Sequence, residues 1–71
     1  MSEPKYEVLV FWDKADDIFV AEVPELRGCM AHGATRAEAL TNVENAMQLW
    51  LATAKEDGLY IPEPRGKLIF A

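Results

Sequence analysis

The chain has 71 residues and a net charge of −5, since seven Lys and Arg stand against twelve Asp and Glu. Its length predicts one small domain over residues 1–71, because typical domains run to roughly 100–150 residues and two would not fit. The acidic balance argues against direct binding of nucleic acid, and no apolar run approaches the ~20 residues that span a bilayer.

The first half of the chain predicts three β-strands. Residues 5–12 alternate as an extended segment that is apolar on both sides, and the polar residues 13–17 are typical of a hairpin loop. A second strand is expected over residues 18–23, ended by a proline, which cannot donate a ladder hydrogen bond. After a turn at residues 24–28, residues 29–32 predict a short third strand.

The second half predicts one long helix over residues 36–57. The Thr35 hydroxyl can accept from a backbone N–H of the first turn, while Glu38 reaches back to the N–H of the cap residue. Gly58 is placed as a left-handed C-terminal cap, and residues 67–70 are apolar enough for a short fourth strand. Apolar residues recur at helical spacing, and four are expected in the core: Leu40, Val43, Met47 and Leu51.

The predicted elements indicate an α+β fold, in which a three-stranded antiparallel sheet packs on one long helix with a short fourth strand. A single helix covers only one face of a sheet, whereas the first strand is apolar on both sides. Some of its apolar residues, or their neighbours, should therefore lack cover in a monomer: Tyr6, Val8, Val10 and Trp12. We expect a homo-oligomer, a dimer or tetramer, or another protein partner.

Two catalytic interpretations have weak support. A metal-dependent nuclease needs carboxylates that converge on metal ions, and the candidates are Asp13, Asp16, Asp17, Glu22 and Glu25. The three aspartates lie together in one polar loop, which argues against such convergence. Cys29 and His32 would alternate to opposite faces of an extended segment, which argues against a nucleophile and base pair. The glycines are scattered singly, so no phosphate-binding loop is indicated. We therefore expect no enzyme activity, no metal and no cofactor, in a cytoplasmic protein.

Four local patterns in fixed order resemble the HicB-like antitoxin family over roughly residues 5–64. The patterns are Tyr6-Glu7-Val8, Val23-Pro24-Glu25-Leu26-Arg27-Gly28-Cys29, Gly33-Ala34-Thr35-Arg36-Ala37-Glu38-Ala39-Leu40, and Asp57-Gly58 followed by Ile61-Pro62-Glu63-Pro64. The resemblance implies a partial RNase H-like fold of order β-β-β-α-β. It also implies a non-catalytic module that neutralises a small basic HicA-type toxin, which cleaves mRNA.

The resemblance has limits. Arg27 stands where the family often has a second proline, and the chain stops at Ala71, where many members continue into a DNA-binding domain. We therefore expect no direct binding of operator DNA. The acidic charge suits a basic toxin, and the residues expected at the partner interface are Tyr6, Trp12, Asp13, Asp16 and Asp17. The alternatives are an orphan homo-oligomeric regulatory module with no toxin partner and an RNase H-like metal-dependent nuclease.

Overall fold

The computed structural model describes residues 5–64. In chain order its elements are β1 (Leu9–Asp13), β2 (Ile18–Glu22), β3 (Met30–Gly33) and α1 (Arg36–Asp57). The predicted α+β architecture, a three-stranded antiparallel sheet on one helix, is confirmed. The fourth strand that we predict at residues 67–70 lies outside the described residues.

The sheet has the order β1-β2-β3, with both neighbouring pairs antiparallel. Val10 and Ala31 both pair with Ala21, whose side chain is fully buried in the core shared with the helix. Phe11 and His32 both pair with Val20, one position along, and successive residues of a strand point to opposite faces. One face of the sheet therefore contacts the helix, and the other is turned away from it.

The strands are shorter at one end of the sheet than the sequence pattern predicts. β1 begins at Leu9 rather than at residue 5, because its ladder with β2 ends at the Leu9–Glu22 pair and no other strand within residues 5–64 pairs with residues 5–8. The chain leaves β2 one residue early, where Val23 donates to the carbonyl of Cys29 at 3.0 Å. This bond closes the intervening turn, so β3 begins at Met30 instead of Cys29.

The predicted limits of α1, residues 36–57, are confirmed. The Thr35 hydroxyl accepts from the Glu38 N–H at 3.1 Å, and the Glu38 carboxylate accepts from the N–H of Ala34 at 3.0 Å. The carboxylate thus reaches one residue further back than we expected. At the other end, Gly58 adopts a left-handed φ of 67°. Local hydrogen bonds and backbone geometry determine where the helix begins and ends, and the residues responsible are adjacent in the sequence.

The core lies between one stripe of α1 and the inner face of the sheet with its following turn. The helix contributes Ala39, Val43 and Met47 to this core, whereas Leu51 packs against it from a partly buried position. The prediction that Leu40 is a core residue is wrong, since its side chain is 39% exposed. The buried stripe advances in steps of four residues from Ala39, and successive helix residues are about 100° apart, so Leu40 falls beside it.

Among residues 5–64, no helix is both long enough and apolar enough to cross a membrane.

Candidate interaction surfaces

The face of the sheet that the helix does not cover carries several apolar side chains. Leu9, Phe11 and Met30 are 39%, 44% and 50% exposed there. Val20 is buried on the same face, because it lies in the central strand between its ladder partners Phe11 and His32. We call this surface the outer sheet face; the strand residues that form it are Leu9, Phe11, Asp13, Ile18, Val20, Glu22, Met30 and His32.

The charges on the outer sheet face are negative. Glu22 lies in the central strand and pairs with Leu9 on one side and Met30 on the other, so its carboxylate is placed among apolar neighbours. Asp13 adds a second carboxylate at the hairpin end. The strand positions of this face contribute no Lys or Arg. The surface therefore combines apolar area with negative charge.

The hairpin loop continues this negative charge beyond the end of the sheet. One Asp13 carboxylate oxygen accepts from the N–H groups of Ala15 and Asp16, at 3.0 and 3.2 Å. Asp17 adopts a left-handed φ of 56°, a conformation that Asp tolerates better than most residues. The predicted hairpin loop is thus confirmed, and it holds three of the predicted interface residues, Asp13, Asp16 and Asp17, at one end of the molecule.

Trp12 lies at this same end, on the helix side of the sheet. Its ring meets that of Phe19 edge-on, with the ring centroids 4.9 Å apart. The guanidinium of Arg36 lies 4.9 Å from the Phe19 centroid. Trp12 is nevertheless 47% exposed, so the structure brings a large accessible aromatic side chain next to the acidic loop.

Tyr6 lies apart from the other predicted interface residues. It precedes β1, at the end opposite the hairpin, and packs partly buried against the core while its hydroxyl donates to the Pro62 carbonyl. Burial raises the pKa of the Tyr6 hydroxyl, and the negative charges of Glu25 and Glu63 raise it further. The expectation that Tyr6 is an exposed strand residue is wrong, because the side chain instead ties residues before the sheet to residues after the helix.

A second surface, which the sequence pattern does not reveal, is a groove between α1 and the turn that precedes β3. Its volume is about 470 Å³. The Trp50 indole donates to the Arg27 carbonyl at 3.0 Å and so holds the turn against the helix. We call this surface the helix groove; the residues that line it include Arg27, Met30, Ala46, Leu49, Trp50, Thr53 and Leu59.

The rim of the helix groove is strongly apolar. Leu49 is 70% exposed and Leu59 is 57% exposed. In the sequence Leu49 is simply a leucine beside the buried stripe of the helix, and nothing nearby in the chain indicates that it borders a cavity. The available signal is weak: Leu49 interrupts an otherwise polar or small-residue helix face that includes Ala46 and Thr53.

The structure does not assemble the two catalytic groupings that the sequence raises. Cys29 is buried in the core, and this burial raises the pKa of its thiol. His32 is exposed on the outer sheet face, so the two side chains lie on opposite sides of the sheet. Within residues 5–64, no three His, Cys, Asp or Glu side chains are grouped so that they could hold a metal ion.

Comparison with known proteins finds one family. The family model described as UPF0150-like matches residues 1–62. A UPF0150 protein of Thermoplasma acidophilum is 34% identical over 65 residues, covering 92% of this chain and 93% of that protein. A UPF0150 protein of Synechocystis sp. is 39% identical over 54 residues, covering 76% of this chain and 74% of that protein. A UPF0150 protein of Helicobacter pylori is 32% identical over 57 residues, covering 80% of this chain and 79% of that protein. No solved structure matches at a significant level.

Proposed function

The chain belongs to the UPF0150-like family, and we propose that it is a non-catalytic binding protein of the HicB-like antitoxin type. In this function it neutralises a small basic HicA-type toxin by forming a complex that masks the RNA-directed surface of the toxin. The observation that carries the proposal is the outer sheet face, which is apolar, acidic and left uncovered by the helix.

The apolar side chains of this face supply the affinity. Phe11 and Leu9 project from β1 and Met30 from β3, all three exposed on a hydrogen-bonded sheet. Burying such side chains against a partner stabilises the complex by about 25 cal/mol for each Å² of apolar surface removed from water. Because the sheet already holds them in place, little backbone entropy is lost on binding.

The carboxylates of the outer sheet face make it specific for a basic partner. Glu22 lies between Leu9 and Met30, so an interface that buries those two side chains would desolvate its carboxylate, which costs free energy unless the partner offers a cation. Asp16 and Asp17 in the exposed loop attract a basic protein over longer range and raise its rate of encounter. A protein whose own surface is positive, as an RNA-directed toxin requires, meets both conditions.

Affinity purification tests this proposal. The 71-residue chain is tagged, expressed in its native host and purified from a lysate at moderate salt, and the masses and stoichiometry of the co-eluting proteins are determined. We expect a near-equimolar small basic protein that cleaves RNA only after it is separated from the chain. Recovery of the chain with no such protein, under conditions that preserve known complexes, would contradict the proposal.

Two charge-reversal variants test whether the basic protein binds at the outer sheet face. Glu22→Lys introduces a cation between Leu9 and Met30 on the outer sheet face, and we expect capture of the basic protein to be lost. Glu44→Lys makes the same change in charge on an exposed position of α1 that belongs to neither surface, and it serves as the matched control, which should retain capture. Equal effects of the two variants would mean that net charge alone, and not the outer sheet face, governs binding.

The helix groove favours a second candidate function, an orphan module whose apolar surface serves only self-association. A stable oligomer that ignores basic proteins in the purification would support that function instead.

A further inference from the structure

The helix groove has a hollow and a projection on the same surface. The hollow has a volume of about 470 Å³, and the exposed Leu49 and Leu59 border it. A closed apolar cavity of ~150 Å³ is sufficient to hold a benzene ring, so this groove has room for a leucine side chain. A surface that carries both a projecting leucine and a space able to receive one is complementary to itself.

Self-complementarity of this kind suits a twofold dimer. In such an interface the same patch is used by both copies, so that Leu49 of each copy can enter the groove of the other. Ala46 and Thr53 lie three residues before and four residues after Leu49, on the same side of the helix. Both are small, which allows two helices to approach to the ~8–10 Å separation of packed helices.

The distribution of charge selects this surface over the outer sheet face for contact between two copies. Among residues 5–64, Arg27 is the one charged residue that lines the groove, although the chain as a whole carries a net charge of −5. Two outer sheet faces placed together would instead bring Glu22 and Asp13 of one copy against the same carboxylates of the other. That arrangement would bury like charges and cost free energy.

An antiparallel crossing of the two helices also avoids repulsion along the contact. If the helices cross at Leu49, residues at equal distances before and after it in the two copies face each other. Glu56 of one copy then faces Asn42 of the other, since both lie seven residues from Leu49. Asn42 is uncharged and donates to the carbonyl of His32 at 2.8 Å, so this acidic end of the helix meets a neutral surface.

We propose that the helix groove is the contact through which two copies of this chain associate about a twofold axis, leaving the acidic outer sheet face for a different, basic partner. The two surfaces adjoin at Met30, which lines the groove and also lies in the outer sheet face, and each carries its own interaction.

Sedimentation equilibrium on the full chain tests this inference, with two glutamine variants as a matched pair. Leu49→Gln changes the rim of the groove, whereas Leu40→Gln changes an exposed leucine of the same helix outside the groove. Leu and Gln have similar helix propensities, and both positions are exposed, so both variants should fold. We expect the wild type to dimerise, Leu49→Gln to raise the dimer dissociation constant roughly tenfold or more, and Leu40→Gln to leave it unchanged.

A third variant distinguishes the two surfaces. Phe11→Gln alters the outer sheet face and should leave the dimer intact. Dissociation by Phe11→Gln but not by Leu49→Gln would overturn the inference and assign self-association to the outer sheet face. A wild type that stays monomeric at millimolar concentration would also overturn it. Capture of the basic protein by Leu49→Gln, measured separately, shows whether the proposed function holds when the dimer contact is lost.

Discussion

Gly33 lies against the backbone of the start of α1, and Gly33→Ala should be strongly destabilising. A Cβ built at this position would lie 2.3 Å from the Ala39 nitrogen and 2.8 Å from the Glu38 carbonyl carbon. Both neighbours are backbone atoms of the first helical turns, so no side-chain rotation relieves the overlap. The added methyl group must instead displace the start of α1, together with the buried Ala39 that it carries.

The expected loss follows from the usual cost of overpacking. Forcing one extra carbon into a packed core costs about 1–3 kcal/mol, and an overlap with helix backbone belongs at or above the upper end. A domain of this size has a total stability of roughly 4–10 kcal/mol, so ~3 kcal/mol is a large part of it. The melting temperature should fall by more than about 12 °C, at about 4–8 °C for each kcal/mol.

Gly28→Ala is the informative control. Gly28 has a left-handed φ of 80°, but a Cβ there would meet nothing within 4 Å. Its replacement therefore costs only the backbone strain of a left-handed residue, about 1–2 kcal/mol. Urea unfolding followed by helical circular dichroism, at one fixed protein concentration, compares the two variants. A Gly33→Ala variant that is as stable as Gly28→Ala would refute the close approach of helix and sheet.

Two further predictions concern packing and pH. Met47→Ala should lower the free energy of unfolding by about 2–5 kcal/mol because Met47 is buried in the core, whereas Leu40→Ala should cost much less; equal urea midpoints for the two variants would contradict the helix orientation. The raised pKa of Tyr6 means that its stabilising effect is complete below pH 10.0, the ordinary pKa, and is lost as pH rises through the folded-state value. Tyr6→Phe should therefore unfold with a shallower alkaline dependence than the wild type, as measured by urea titration at successive pH values, and an identical dependence would remove Tyr6 as the cause.

If both proposals hold, this small chain divides its apolar surface between two interactions with different electrostatic requirements. In the part of the chain that the structure describes, the helix groove is lined by one charged residue and suits a second copy, whereas the outer sheet face carries Glu22 and Asp13 and suits a basic protein. Self-association would also help a short chain, because a domain of this length buries only about 60% of the surface exposed by its unfolded form.

The limits of α1 and the presence of the hairpin follow from the sequence because their causes are local. The helix begins where Thr35 and Glu38 form the hydrogen bonds of its N-terminal cap, and it ends where Gly58 adopts a left-handed backbone conformation. Asp13 and Asp17 shape the hairpin loop in the same local way. The apolar alternation of the strands likewise indicates where extended chain lies, which is enough to predict the α+β class.

Strand ends, the buried side of the helix and the two surfaces depend on contacts between residues distant in sequence. β1 begins at Leu9 because β2 offers no partner beyond Glu22, and Tyr6 is partly buried because the chain after the helix returns to meet it. Leu40 and Leu49 are equally apolar in the sequence, yet Leu49 borders the helix groove and Leu40 does not, because the groove forms where the Arg27 turn packs against Trp50. Local chemistry thus determined the elements of this protein, while their tertiary packing decided which apolar side chains the fold buries and which it leaves for a partner.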